Sequence, residues 1–334
     1  MLPDGSRASM TPPVPGSLAI ELPAELTTRF AADLARLLPG QERLGLAVSG
    51  GPDSLALLLL AHAVAPGRIA AATVDHGLRP ANAEEAAMVA KTCAGLGIAH
   101  ATLAVSLASG NVQAEARAAR YAALAEWMAA NGLAALATAH HADDQAETLV
   151  LRLNRGSGVA GLAGVRERGL VPQTRWPLIR PLLGWRRCEL AALVEAAGLV
   201  AADDPSNRDD RFDRARIRKV LSGADWLDVP ALAASAAHLA DADAALDWAA
   251  AREWQECVTR APMGISYRPQ APRAIALRVL ARIVTELEGE VPRGSAVARL
   301  FDSLIARQPA SIGNLVARPL PEGWSFSKAP VRRG

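Results

Sequence analysis

The sequence predicts an α/β fold with an open, doubly wound, mostly parallel sheet, followed by a smaller, mainly helical domain. Between residues 44 and 154, short apolar segments alternate with longer segments of helical periodicity, which is the pattern of βα units joined by right-handed crossovers. Beyond residue 223 the chain becomes alanine-rich and only helical spacing remains. With 334 residues, 51% of them hydrophobic, the chain can bury two cores.

The elements follow one another with short connections. A helix over 21–38, with leucines and Phe30 on one side, ends at Pro39 and Gly40. Strands are then predicted at 44–48, 68–74, 98–105 and 133–139, with helices at 54–64, 83–96, 112–131 and 142–154. A short apolar strand within 176–183, expected at the sheet edge, precedes a helix over 186–197, and later helices cover 230–258, 271–288 and 296–305. Ligands of such sheets bind beyond the carboxyl ends of the strands.

The loop S-G-G-P-D-S at residues 49–54 lies at that edge, between an apolar strand and a helix. Gly50 and Gly51 allow a sharp turn that brings backbone N–H groups close to a ligand, and the following helix start carries positive dipole. The chain contains no G-x-x-x-x-G-K-[ST] and this loop lacks the third glycine of a dinucleotide fingerprint. An acid inside a phosphate-binding loop, Asp53, indicates a bridging Mg²⁺. The alternative is that Asp53 and Ser54 only cap the helix.

A second informative stretch begins at His140 and His141, where another predicted strand ends. Asp144 and Glu147 share one face of the following helix, so their carboxylates converge near its start. No H-x₃-H or H-E-x-x-H spacing occurs, which argues against a transition-metal site. The alternative is that the first-turn acids only complement the helix dipole. The G-x-G-x-x-G at 156–161 follows a helix, so we interpret Gly156 as a helix C-terminus and the loop as a flexible lid.

Composition limits the classes of protein that fit. The cysteines at 93, 188 and 257 are far apart and form no C-x-x-C, which argues against a disulfide framework or a zinc or iron–sulfur site and indicates a reducing cytoplasm. Residues 1–20 are expected to be a flexible segment without a signal peptide, and no apolar run is long enough to span a membrane. Residues 151–220 hold 14 Lys and Arg against 8 Asp and Glu. Both nucleic-acid binding and codon bias account for that excess.

Several motifs, taken in order, carry a family resemblance. The hexapeptide at 49–54 resembles the signature of the PP-loop ATP pyrophosphatases, which cleave ATP between the α- and β-phosphates. Six further motifs follow it along the chain: V-D-H-G-L-R at 74–79, A-E-A-R-A-A-R-Y at 114–121, H-H-A-D-D-Q-A-E-T at 140–148, R-G-S-G-V-A-G-L at 155–162, I-R-P-L-L at 179–183 and D-P-S-N at 204–207. Together they resemble the tRNA(Ile)-lysidine synthetase family over about residues 43–221. Ala215 departs from that pattern, because the family often has asparagine there.

The resemblance implies a PP-loop catalytic domain over 21–222 and a smaller domain over 223–334 that contacts tRNA. It also implies ATP-dependent ligation of free L-lysine to carbon 2 of the wobble cytidine in the CAU anticodon of tRNA-Ile, through an adenylated cytidine, with release of AMP and pyrophosphate. The codon that the tRNA decodes then changes from AUG to AUA. The cofactors would be ATP and Mg²⁺, and the oligomeric state stays open, with a homodimer among the alternatives.

Roles for individual residues follow from the same resemblance. Asp53 would hold Mg²⁺, Arg117 would neutralise charge at the α-phosphate, and Asp144 and Glu147 would bind the lysine ammonium, one of them taking its proton. The nucleotide would contact the following residues: Ser49, Gly50, Gly51, Pro52, Asp53, Ser54, Asp75 and His76. Candidate contacts for the tRNA are arginines of the basic region: Arg155, Arg208, Arg214 and Arg218.

Three other functions compete with this hypothesis. A PP-loop tRNA thiolase shares the superfamily, yet that chemistry normally uses paired cysteines, and Cys93 has no partner nearby in the sequence. A non-catalytic tRNA-binding relative would not need Ser49, Asp53 and Asp144 intact. An amidating synthetase that uses glutamine would need a glutaminase domain, for which this chain has no room.

Overall fold

The computed structural model describes residues 20–75, 77, 80–105, 112–202, 213–262 and 264–329. His76, Arg208, the motif at 204–207 and nearly all of the expected flexible segment 1–20 lie outside the described residues. The chain divides into two compact units, Met1–His238 and Leu239–Gly334, later in the chain than the boundary expected after residue 222. The assignment of a catalytic and a tRNA-contacting domain stays a prediction.

The first unit alternates strands and helices, as expected from the apolar periodicity. Its strands are β1 (Leu44–Ala47), β2 (Ile69–Asp75), β3 (Ala99–Ala104), β4 (Ala135–Ala137), β5 (Arg168–Leu170) and β6 (Pro177–Ile179). Its helices are α1 (Ala24–Leu37), α2 (Pro52–Val64), α3 (Pro80–Gly95), α4 (Val112–Ala130), α5 (Ala142–Asn154), α6 (Val159–Leu162), α7 (Arg187–Ala196), α8 (Asp213–Gly223) and the start of α9 (Val229–Cys257).

The six strands form one sheet in the order β3-β2-β1-β4-β6-β5. The pairs from β3 to β6 are parallel and only β5 runs antiparallel to its neighbour. The predicted mostly parallel, open sheet is therefore confirmed. The expectation that the strand within 176–183 forms the edge is wrong, because β5 lies outside it. All three residues of β5 are exposed, so apolar periodicity gives no signal for this strand.

Helices cover both faces of this sheet, and each face has its own apolar core. Helices α1, α2 and α7 pack on one face, where Trp185 is fully buried and donates its indole N–H to Asp33 (3.0 Å). Helix α4 covers the other face through Tyr121 and Trp127. Trp127 packs so tightly on β1 that a Cβ added to Gly45 would lie 2.8 Å from its ring. The strand ends between the two layers are left open to a ligand.

The second unit contains the end of α9, two further helices and a sheet that the sequence analysis missed. The helices are α10 (Arg273–Glu288) and α11 (Gly294–Ile305). The strands are β7 (Val258–Ala261), β8 (Gly264–Tyr267), β9 (Ala310–Ile312), β10 (Leu315–Leu320) and β11 (Gly323–Lys328). They form an antiparallel sheet in the order β7-β8-β11-β10-β9. Across the described ranges, no helix combines the length and apolar character needed to cross a membrane.

Candidate active site

The turn between β1 and α2 is shaped from inside by Ser54. Its hydroxyl oxygen accepts the backbone N–H groups of Ser49 and Gly50 (3.1 Å each) and its proton goes to the carbonyl of Gly51 (2.9 Å). Gly50 has a φ of +91°, a conformation that residues with a Cβ rarely adopt. Ser54 therefore holds the loop shape and has little capacity left for a phosphate.

The start of α2 is free for an anion. Gly51 is the N-cap, no side chain caps the helix, and Pro52 occupies the first turn. The alternative interpretation, in which Asp53 and Ser54 are ordinary caps, is therefore wrong. The first-turn N–H groups have no acceptor within the helix, and with the helix dipole they form a site for negatively charged oxygen.

Asp53 lies in the first turn of α2 and faces the buried His141. Its Oδ2 atom is 3.4 Å from His141 Nε2, whereas its Oδ1 atom is buried without a hydrogen-bond partner among the described residues. Burial lowers the pKa of His141, but the hydrogen bond and charge of Asp53 together with the charge of Asp144 raise that pKa above its ordinary value overall. Asp53 thus has one oxygen held and one available.

Helix α5 begins with a capping box formed by His141 and Asp144. The backbone N–H of His141 donates to Asp144 Oδ2 (3.1 Å), and the N–H of Asp144 donates to His141 Nδ1 (3.4 Å). Asp143 instead accepts the N–H of Arg187 (2.8 Å) at the start of α7. Although burial raises the pKa of Asp143, hydrogen bonds from Arg187 and Arg186 hold it below its usual range. Asp143 is therefore structural, and Asp144 is partly so.

Glu147 is buried between α5, α7 and α8, and its side chain is only 2% exposed. Its Oε1 atom accepts hydrogen bonds from Arg187 (3.0 Å) and Arg218 (2.9 Å). Its Oε2 atom is buried and has no partner among the described residues. The sequence placed Glu147 beside Asp144, but it did not show that two arginines enclose it.

A cavity of about 600 Å³ opens where β1, β2 and β4 end. The predicted residues that line it are Ser49, Gly51, Asp53, Ser54, Arg117, Asp144 and Arg214. The guanidinium of Arg117 lies 5.1 Å from the ring centroid of Tyr121, which also lines the cavity. Glu85 and Arg120 also line it, so anion-binding N–H groups, three carboxylates and three arginines share one space.

Comparisons with known proteins give the family of the chain. The PP-loop domain family matches residues 25–224. A tRNA(Ile)-lysidine synthase from Novosphingobium aromaticivorans is 52% identical to the chain over 310 residues, which cover 92% of this chain and 94% of that protein. The chain belongs to the tRNA(Ile)-lysidine synthase family. Its relative in Zymomonas mobilis is 39% identical, over 88% of this chain and 91% of that protein.

A solved structure supports the fold. The U34-tRNA thiolase NcsA from Methanococcus maripaludis superposes with a TM-score of 0.54 at 18% identity, covering 64% of this chain and 76% of that one. The family and the ATP-dependent PP-loop enzyme class that the motifs implied are therefore confirmed.

Several other residues that we predicted from the resemblance, Glu147 among them, are not part of the cavity lining. Arg155 is exposed and pairs with Asp213 (2.5 Å), and Arg218 points to Glu147. Asp75 accepts the N–H of Gly77 (2.8 Å) and so shapes the turn after β2. Gly50 and Pro52 contribute through backbone conformation. The roles expected for His76 and Arg208 fall on residues outside the described ranges.

The sequence analysis noted His140 and His141 at the end of a strand but gave neither histidine a role in the site. His140 lines the cavity, and its Nδ1 atom is 2.9 Å from Thr138 Oγ1. Burial lowers the pKa of His140 to about 4, so the imidazole is neutral at physiological pH. The position of His140 and His141 directly after a predicted strand could have indicated a role in the site, because ligands bind at that edge of a parallel sheet.

Proposed function

We propose that this protein ligates free L-lysine to carbon 2 of the wobble cytidine in the CAU anticodon of tRNA-Ile, using ATP. One observation carries the proposal: the uncapped start of α2 and the Asp144 carboxylate open onto the same cavity. A site for nucleotide phosphates and a site for an amine are thus adjacent, as two-step activation and attack require.

In the first step the cytidine oxygen becomes a leaving group. Cytosine O2 attacks the α-phosphorus of ATP, the bond from that phosphorus to the bridging oxygen breaks, and pyrophosphate leaves. The N–H groups at the start of α2 are suited to the departing pyrophosphate. Arg117, which lines the same cavity, is suited to the α-phosphate, where negative charge accumulates.

The residues at the start of α2 fit a Mg²⁺ ion that accompanies ATP. Asp53 would hold it through Oδ1, the buried carboxylate oxygen without a partner among the described residues. Within the described ranges no cluster of three or more His, Cys, Asp or Glu side chains forms a cage, which fits an ion bound by one carboxylate, phosphates and water. Such an ion neutralises phosphate charge during transfer.

In the second step the lysine amine replaces AMP. The ammonium must first lose a proton, because only the neutral amine attacks; its nitrogen then bonds to carbon 2 as the carbon–oxygen bond breaks and AMP leaves. Asp144 lines the cavity and would hold the ammonium. Glu147 would contribute Oε2, its unpartnered oxygen, while Arg187 and Arg218 orient the carboxylate through Oε1.

The tRNA would approach over the basic region. Arg214 lines the cavity from α8 and Arg155 is exposed on the same unit, so both can reach phosphate oxygens. Arg218 is committed to Glu147, and we assign it to positioning that carboxylate. We further propose that residues 223–334 contact other parts of the tRNA and that the reaction takes place in the cytoplasm.

A thiolase reaction fits the described site less well. Cys93 and Cys257 are buried and Cys188 is exposed, and they lie on α3, α9 and α7 respectively. Burial raises the pKa of the Cys93 thiol to about 12, which leaves it unreactive at neutral pH. Sulfur transfer through a pair of thiolates therefore has no obvious donor in this chain.

The test is incubation of the protein with ATP, radiolabelled lysine and tRNA transcripts. We expect label in a CAU-anticodon tRNA-Ile transcript and none in a transcript whose wobble cytidine is replaced by uridine. Pyrophosphate release, followed in the same reactions, should require that tRNA. Binding of the tRNA without pyrophosphate release or label would instead support a non-catalytic tRNA-binding relative.

A further inference from the structure

One buried imidazole connects the two halves of the site. His141 is 1% exposed and lies between the end of β4 and the start of α5. Its Nδ1 atom accepts the N–H of Asp144 (3.4 Å), and its Nε2 atom lies 3.4 Å from Asp53 Oδ2 and 3.6 Å from Asp144 Oδ2. The side chain therefore contacts the carboxylates that we assign to the nucleotide and to the amine.

Helix capping alone does not account for a histidine at this position. An N-cap needs one short acceptor, which Ser, Asn or Asp supplies with less volume to bury. Acceptance of the Asp144 N–H by Nδ1 leaves the proton on Nε2, the nitrogen that faces Asp53. The ring thus makes a second contact, with Asp53, for which a short capping side chain is not long enough.

We propose that His141 is a positioning residue that fixes the Asp53 carboxylate, holding Oδ2 so that Oδ1 stays available to the metal-bound nucleotide. The same ring fixes the first turn of α5, and with it Asp144. This inference rests on the proposed function for the identity of the nucleotide and of the amine. The geometry itself does not depend on those identities: it involves Asp53, His141 and Asp144, with Asp143 Oδ2 3.7 Å from His141 Nδ1.

Two substitutions separate the capping task from the positioning task. His141→Asn places an acceptor where Nδ1 was, so it keeps the cap but cannot reach Asp53. His141→Gln places an amide N–H where Nε2 was, so it keeps the contact with Asp53 but is a poor N-cap.

The two variants should fail in opposite ways. For His141→Asn we expect kcat lowered about 10–100-fold, the usual effect of losing a partner that orients a ligating group, and a melting temperature reduced only by the packing that the smaller buried side chain loses. For His141→Gln we expect a melting temperature lowered by about 2–4 °C because the cap is weakened, a raised KM for lysine because the turn that carries Asp144 is loosened, and a kcat at saturating lysine within about threefold of that of the unaltered protein. If His141→Asn keeps full kcat, or if both variants lose kcat equally, the inference is overturned.

Nucleotide binding gives a readout that needs neither tRNA nor lysine. A non-hydrolysable ATP analogue is titrated by calorimetry, with and without Mg²⁺, into the unaltered protein, His141→Asn, Asp53→Asn and the double variant. We expect His141→Asn to reduce about tenfold the gain in affinity for the analogue that Mg²⁺ produces. We also expect the double variant to bind the analogue with the same affinity as Asp53→Asn alone. If the two effects multiply instead, His141 does not act through Asp53 and the inference fails. Absence of lysidine formation by the unaltered protein would overturn the proposed function alone.

Discussion

Replacement of Glu147 by glutamine tests both the packing and the chemistry assigned to this carboxylate. The Glu147 side chain is 2% exposed, and its Oε1 atom lies 3.0 Å from the guanidinium of Arg187 and 2.9 Å from that of Arg218. The substitution removes the negative charge that these two groups face. Breaking a buried ion pair costs roughly 3–5 kcal/mol, and because glutamine keeps one acceptor oxygen we expect about 2–3 kcal/mol. For a unit of 238 residues, that corresponds to a melting temperature lower by about 5–10 °C.

The same variant should use lysine poorly. Loss of a charged hydrogen-bond partner for the ammonium is worth about 1.5–3 kcal/mol, which raises the KM for lysine by roughly 10–100-fold. Glu167→Gln is the matched control, because Glu167 pairs with Arg36 on the surface of the same unit and its side chain is 46% exposed; it should cost about 0–1 kcal/mol and leave KM unchanged. Calorimetric melting and steady-state lysine incorporation measure the two effects. If Glu147→Gln melts and turns over like Glu167→Gln, both the ion-pair argument and the ammonium assignment are refuted.

Three further predictions concern the loop, the pH dependence and the tRNA. Gly50→Ala places a methyl group in a left-handed turn, 3.2 Å from the Met88 side chain, so the KM for ATP in a pyrophosphate-release assay should rise at least about fivefold. The control is Gly67→Ala, because Gly67 is also left-handed but its Cβ would meet open space; the KM for ATP should then stay unchanged. Burial lowers the pKa of His100 to about 4, so below about pH 6.5 the unfolded chain binds more protons than the folded protein, and stability falls as the pH drops toward 4. The free energy of unfolding in urea should therefore fall by about 2 kcal/mol less between pH 7 and 5 for His100→Gln than for the unaltered protein. An identical fall in both proteins would contradict this prediction. Arg214→Ala should weaken tRNA binding in filter-binding titrations and reduce the slope of log affinity against log salt concentration by about one unit. If the affinity of the unaltered protein for tRNA were the same at low and at physiological salt, phosphate contacts would be ruled out.

The parallel sheet and the position of its site could be predicted because their signals are local. The apolar run that becomes β1 leads directly into the loop at 49–54, and parallel strands bring their carboxyl ends to one edge. That reasoning placed Asp53 and Asp144 on the same side of the sheet, where the cavity contains both.

The remaining features depend on contacts between distant parts of the chain. Nothing near Glu147 in the sequence indicates that Arg187 and Arg218 enclose it, since the partners are 40 and 71 residues away. Strand β5 is exposed throughout, so it has no apolar periodicity. Strands β8 and β11 do alternate between more and less buried residues, so a period of two was an available signal that the sequence analysis did not use. His141 could be noticed in the sequence, but its contact with Asp53 depends on how α2 and α5 pack.

The most direct test of this account is a crystal structure of the protein with a non-hydrolysable ATP analogue, Mg²⁺ and lysine. The account predicts that the triphosphate lies against the first turn of α2 and that the lysine ammonium lies about 3 Å from Asp144, within the one cavity at the ends of β1, β2 and β4. A lysine bound on the other face of the sheet, or a triphosphate away from residues 49–54, would contradict it.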